Sequence, residues 1–323
     1  MQPLPSLAEL EAATILVRAA GVPPTPQFTW PLLNARAACE VWVKHENHTE
    51  VGAFKVRGGL VYFDALVRTH PGVRGVIAAT RGNHGQSVAF AAQRHGLRAV
   101  IVVPRGNSTE KNAAMRALGA ELIEHGEDFQ AALEHAQRLA AEQGLHSMPS
   151  FSGELVAGVG TGSLEFLRGT PPLDAIYVPI GLGSGICAMM AARDALGLKT
   201  KIVGVVSALA PAYARSFAAG RAESHPVTTR IADGVAVRTP NPEALAHVLR
   251  GVERIVEVTD DEVEAAMRAL YSDTHNVAEG AGAVALAAVL QERAAIAGRR
   301  VGIVLTGGNV DRAVFARVLS VHS

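Results

Sequence analysis

The chain has 323 residues, 49% of them apolar, enough for one large core or two closely packed ones. Lysine plus arginine number 30 and aspartate plus glutamate 30, so the balance offers neither the basic surface nucleic acid demands nor a partner for anionic membranes. Two cysteines, Cys39 and Cys187, rule out a disulfide scaffold, no Cys/His spacing fits a structural zinc site, and no apolar run reaches the roughly 20 residues of a membrane span.

The N-terminal MQPLPSLAELEAA lacks the basic-then-apolar build of a secretion signal, so a soluble cytoplasmic chain is expected. From there, short β-branched runs alternate with helical stretches. CEVWVKHE (39–46) reads as a strand, as does GVIAAT (75–80), which is followed by the helical HGQSVAFAAQRHG (84–96). RAVIVVP (98–104), STEKNAAMRALG (108–119), AELIEHG (120–126) and EDFQAALEHAQRLAAEQG (127–144) continue the alternation. Further strands are AIYVPI (175–180), KIVGVVS (201–207), RIVEVT (254–259) and RRVGIVLT (299–306). Thr259 and Glu262 in TDDE form a capping box at a helix start. Alternation of this kind requires crossovers, parallel strands and an open α/β sheet. Ligands of such sheets bind at the carboxyl ends of the strands.

Three strand ends carry unusual residues: RGNHGQ (81–86), GLGSG (181–185) and GGNVD (307–311). GLGSG precedes the apolar helical run ICAMMAARDALG, where converging backbone N–H groups and the helix dipole suit a phosphate. A tight strand–helix turn accounts for it equally well. It is neither a P-loop, for want of Gly-Lys-Ser/Thr, nor a full dinucleotide fingerprint, for want of an acidic residue some 20 positions on. In GAFKVRGG (52–59), Lys55 and Arg57 interrupt an apolar junction without local carboxylates. Lys55 is either a stem with its head in water or a desolvated amine able to bond a carbonyl. An anion cradle, such an amine and no metal motif together suggest pyridoxal phosphate.

The motifs HTEVGAFKVRGG, ATRGNHGQS, PIGLGSG, IADGVAV, VAEGAGA and LTGGNVD occur in the order of the fold-type II pyridoxal phosphate enzymes, and the chain most resembles their threonine/serine dehydratase and serine racemase branch from about residue 24 to 311. The resemblance implies an α/β fold of two open, mostly parallel sheets with flanking helices, like the tryptophan synthase β-subunit. On that basis residues 1–50 and 150–323 would form a large cofactor-binding domain and 51–149 a small mobile one, in a homodimer. Lys55 would hold the cofactor as an internal aldimine and then act as base at Cα. Phe54 would flank the ring, Asn83 would bond its 3-oxygen, and Gly234 would lie against it. The backbone of Gly181, Leu182, Gly183, Ser184 and Gly185 would hold the phosphate. Thr306 would meet the pyridine nitrogen, a neutral contact that favours β-elimination over transamination. Glu279 matches an acidic position near the cofactor, and a helix N-terminal carboxylate explains it as well. Thr80, Arg81, Gly82, Asn83 and His84 would take the substrate, the His84 side chain serving as a helix cap.

The expected reaction is elimination of water from L-threonine or L-serine, giving a 2-oxo acid and ammonia. A 3-hydroxyaspartate-like substrate, racemisation and β-replacement are the alternatives. A non-catalytic cofactor-binding relative and a nucleotide-binding oxidoreductase stand further off. Racemases of the family carry serine where this chain has Arg81, and a guanidinium cannot give up a proton near neutral pH. Arg81 then either pairs with a surface carboxylate or reaches the cleft to favour an anionic side chain. Val206 and Ser207 stand where metal-binding relatives carry glutamate, so no metal is expected. The end at Ser323 leaves no room for a regulatory domain, which points to the short form of the enzyme.

Overall fold

The computed structural model describes residues 2–321. Ten strands form two sheets: β1 (Gln27–Thr29), β2 (Glu40–His45), β3 (Gly75–Ala79), β4 (Arg98–Val103), β5 (Glu121–Glu124), β6 (His146–Ser147), β7 (Ala175–Pro179), β8 (Lys201–Ser207), β9 (Arg254–Val258) and β10 (Arg300–Leu305). The larger sheet has the order β1-β2-β10-β7-β8-β9, parallel except for the edge pair of β1 with β2. The smaller runs β5-β4-β3-β6 and is wholly parallel. The two open sheets expected from the resemblance are present, and every strand read from the sequence forms. β1 and β6 are additions to that reading, since three and two residues leave no period to detect.

Central strands are buried on both faces, which is why they read as continuous apolar runs. In β7, Ala175 and Tyr177 enter one core cluster while Ile176 and Val178 enter the other; β8 repeats this with Val203 and Val205 against Ile202 and Val206. The capping box at the helix Asp260–Thr274 is complete: Glu262 N–H donates to Thr259 Oγ1 (3.2 Å), and Thr259 N–H to Glu262 Oε2 (2.7 Å).

Two helices set the position of Lys55. The segment before it is sewn to the end of β10, Phe54 N–H donating to Thr306 O (3.0 Å) and Gly308 N–H to Gly52 O (2.9 Å). The helix Lys55–Thr69 then lies close against Asn83–Arg94, where Ser87 Oγ donates to Lys55 O (2.7 Å). That approach needs a glycine at 59, because a Cβ there would stand 2.2 Å from Ser87 Oγ.

Candidate active site

The carboxyl ends of β3, β7 and β10 open on one cavity of about 340 Å³. Lys55, Phe54, Thr80, Arg81, Gly82, Asn83, His84, Gly181, Leu182, Gly183, Ser184, Gly185, Gly234, Glu279 and Thr306 all line it. These residues run from position 54 to position 306, so the fold gathers every candidate the motifs supply.

Lys55 is the first residue of its helix and has no acidic neighbour; its Nζ donates to Ser184 Oγ (3.1 Å) and lies 4.9 Å from the Phe54 ring centroid. Burial, uncompensated by any carboxylate, pushes its ammonium down to about 8. The helix Ser184–Ala195 begins beside it with Gly183 as N-cap and no side-chain capping bond among the described residues, so its first N–H groups point to the cavity unpaired. Gly183 sits at φ 108°, and a Cβ there would lie 2.4 Å from Ala244 Cβ. Gly183→Ala should therefore cost about 2 kcal/mol or more, from left-handed strain plus overpacking, read as a lowered urea midpoint. Tyr213 Oη donates to Leu182 O (3.2 Å) and steadies the loop.

The loop after β3 is ordered by Thr80, whose Oγ1 accepts from Gly82 N–H (3.0 Å). His84 corrects one expectation. The cap of Asn83–Arg94 is Gly82, with no side-chain bond, and His84 lies inside the first turn. Its Nε2 is buried without a partner among the described residues, and burial, with Lys55 adding to it, pushes the imidazole down to about 3. A neutral ring beside the cavity is the result. Arg81 is exposed at the rim, and among the described residues no carboxylate pairs with it, so the surface ion pair considered from sequence is not formed. Gly234 is held by a protein neighbour: a Cβ would meet Ala281 Cβ at 2.7 Å. Thr306 Oγ1 donates to Ala281 O at a long 3.4 Å.

Glu279 caps the helix Gly280–Gln291 by position but makes no side-chain capping bond. Its Oε1 accepts from Asn83 Nδ2, and its Oε2 lies 3.1 Å from Lys111 Nζ. Burial raises the Glu279 pKa and Asp233 adds to it, while Lys111 and Asn83 act against both. Burial works against the Lys111 ammonium too, but Glu279 and Asp233 outweigh it and hold its pKa above the ordinary lysine value. Lys111 and Asp233, which pair at 2.8 Å, are absent from the sequence-derived candidates. The available signal is Lys111 lying four residues before Met115 on the buried face of its helix. Behind the cavity, Arg57 is fully buried between Glu46 and Glu165, which also binds Lys44. Among the described residues no three His, Cys, Asp or Glu side chains gather as a metal site, and no helix is long and apolar enough to cross a membrane.

Residues 19–307 match the family described as pyridoxal-phosphate dependent enzyme. The chain is 36% identical over 282 residues to an L-threonine ammonia-lyase of Thermotoga maritima, covering 87% of this chain and 70% of that one. It is 33% identical over 298 residues to an L-threo-3-hydroxyaspartate ammonia-lyase of a Pseudomonas species, covering 91% and 92%. The structure of maize serine racemase superposes with a TM-score of 0.90 at 28% identity, over 98% of this chain and 97% of that one.

Proposed function

The chain belongs to the fold-type II pyridoxal-phosphate-dependent enzymes, in their threonine/serine dehydratase branch, and from that membership we propose that it deaminates a hydroxyamino acid such as L-threonine or L-serine. In that reaction the Cα–H and Cβ–O bonds break, the hydroxyl leaves as water, and the unsaturated amine takes up water to give a 2-oxo acid and ammonia. The observation that carries this reading is Lys55: an amine with its pKa near 8, no carboxylate beside it, facing the same cavity as an uncapped helix N-terminus.

The residues fit the cofactor. Lys55 supplies an amine for the aldehyde, and the N–H groups at 181–185 supply the phosphate seat, which a side chain at Gly183 would disrupt. The buried, partnerless Nε2 of His84 calls for a polar occupant. Pyridoxal phosphate, when bound, supplies a sink for the electron pair left at Cα. Phe54 and Gly234 would flank the ring, Asn83 would bond its 3-oxygen, and Thr306 would meet the ring nitrogen as a neutral group; all four line the cavity. Thr80, whose Oγ1 already accepts from Gly82 N–H, and the N–H groups of Asn83 and His84 would take the substrate carboxylate. The Lys55 amine, its pKa lowered by burial, would remove the Cα proton. Residues 51–149, which contain the β3–β6 sheet, act as a small mobile unit against the rest, and the enzyme works as a cytoplasmic homodimer.

Arg81, exposed at the rim without an ion-pair partner among the described residues, supports a second reading in which the side chain of the substrate is anionic, as in a 3-hydroxyaspartate. A panel of L- and D-serine, threonine and the 3-hydroxyaspartates, scored for ammonia, tests both; no ammonia from any of them would sink the proposal. If Arg81 reads a carboxylate, Arg81→Ala should lower kcat/KM for the 3-hydroxyaspartates about tenfold more than for L-threonine, one charge-assisted contact's worth. Equal losses would remove Arg81 from specificity.

A further inference from the structure

A chain of three hydrogen bonds runs from Val51 through Asn309 and Asn83 to Glu279, where an ion pair with Lys111 continues it, and both of its ends are groups that cannot reverse. At one end Asn309 Nδ2 donates to the backbone carbonyl of Val51 (2.8 Å), which can only accept. The second Asn309 hydrogen goes to Asn83 Oδ1 (2.9 Å), so that oxygen is committed as an acceptor. Asn83 must then offer Nδ2 on its other side, where it donates to Glu279 Oε1. Glu279 must accept there, and its second oxygen, which makes no hydrogen bond among the described residues, is held by an ion pair with the Lys111 ammonium 3.1 Å away, a group that can only donate. Asp233, at 2.8 Å, fixes Lys111 from the far side. A primary amide is symmetric in shape and free to flip where its neighbours are ambivalent. Here no neighbour is. One Nδ2 hydrogen of Asn83 is used by Glu279, which leaves the other for the cavity that Asn83 lines.

The chain also explains a glycine. Lys111 comes from the helix Thr109–Ala117, beyond the small sheet, and its stem passes over residue 82. A Cβ on Gly82 would stand 2.5 Å from Lys111 Cδ, so a side chain there would displace the lysine stem from its present path to Glu279 and Asp233. Lys111 is 7% exposed and Glu279 3%, so both charges are largely withdrawn from solvent.

We propose that Lys111, Glu279 and Asn309 are positioning residues that fix the polarity of Asn83, so that the cavity meets an N–H donor at this point and never the amide oxygen. The group recognised is an electron-rich ring oxygen beside the aldehyde of the bound cofactor; the inference rests on the pyridoxal phosphate reading above. The double substitution Asn83→Asp/Glu279→Gln tests it by reversing the chain. The amide introduced at position 279 can donate to the carboxylate introduced at position 83, and its oxygen still accepts from Lys111. That carboxylate still accepts from Asn309, but the cavity loses its donor.

Full-length wild type and variants are titrated with pyridoxal phosphate and with the analogue lacking the ring hydroxyl, with thermal unfolding followed in parallel. The double variant should bind pyridoxal phosphate at least about tenfold more weakly, the scale of a bond to a charged acceptor, while binding the deoxy analogue nearly as wild type does. Lys111→Gln should show the same selective loss, and Lys111→Arg, which keeps a donor that cannot reverse, should recover it; this pair carries the comparison if the double variant does not fold. Equal losses for both ligands, or a Lys111→Gln variant that binds pyridoxal phosphate like wild type, would overturn the proposal. A wild-type chain that took up neither ligand would overturn the cofactor reading and this inference with it.

Discussion

Lys55→Ala is expected to abolish both cofactor capture and turnover, lowering kcat/KM by about 10⁴-fold or more, the upper range for loss of one acid–base group, since covalent attachment is lost with it. Borohydride treatment should fix a cofactor mass on residue 55 in wild type and none in the variant. The environment of the amine sets how readily it reacts. With its pKa near 8 and not 10.5, about one Lys55 in ten is neutral at pH 7, against about one in 3,000 for an ordinary lysine. The rate of pyridoxal phosphate uptake by the free protein should therefore rise with pH through about 8 and then level. The sign for stability follows from the same shift. The folded state holds this proton less tightly than the unfolded chain, so the contribution of Lys55 improves as pH climbs from about 8 to 10.5 and is flat below. Activity retained by Lys55→Ala, or uptake independent of pH between 6 and 9, would contradict the role given to this amine.

The fold is legible in the sequence because parallel strands buried on both faces advertise themselves as apolar runs, and six spaced motifs mark where those strands end. Elements too short to show a period, β1 and β6, are not legible. The individual site residues are readable only as far as local context reaches. Lys55 and the glycine loop carry unusual chemistry within a few positions, whereas Lys111 looks like any basic residue on an amphipathic helix until Asp233, 122 residues on, is brought to it. His84 misleads for the opposite reason. An imidazole at a helix start suggests a cap, but the cap is Gly82, and the ring is buried within the first turn with its Nε2 unpartnered among the described residues. Arg57 stands out in the sequence yet has no role there, because its partners lie 11 and 108 residues away.

Arg57 carries the largest expected effect on stability. Its side chain is fully buried and uses its whole fork: Nε and Nη2 donate to Glu46 (2.8 and 3.1 Å), Nη1 and Nη2 to Glu165 (3.2 and 2.9 Å), and Nη1 also to Thr161 Oγ1 (3.1 Å). Lys44 Nζ adds a second cation, 3.0 Å from Glu165. Burial alone would raise the Glu46 pKa, but Arg57 reverses this and holds it below the usual value. Two positive and two negative groups thus balance with little exposure to solvent. Arg57→Met would leave both carboxylates facing Lys44 alone, at a cost of about 3–5 kcal/mol in urea unfolding. Arg57→Met/Glu165→Gln restores the balance with Lys44 and Glu46 and should recover part of that loss. Recovery is the informative result, because simple loss of packing at residue 57 would be the same in both variants. The consequence for the site follows from helical geometry. Arg57 stands two residues after Lys55 in the same first turn, so the ion network that offsets its own desolvation also fixes where that turn begins and hence where the amine points. A lysine needed at one place in a cavity is better anchored through a fork with three partners than through packing alone, since five directed bonds admit one orientation of the turn.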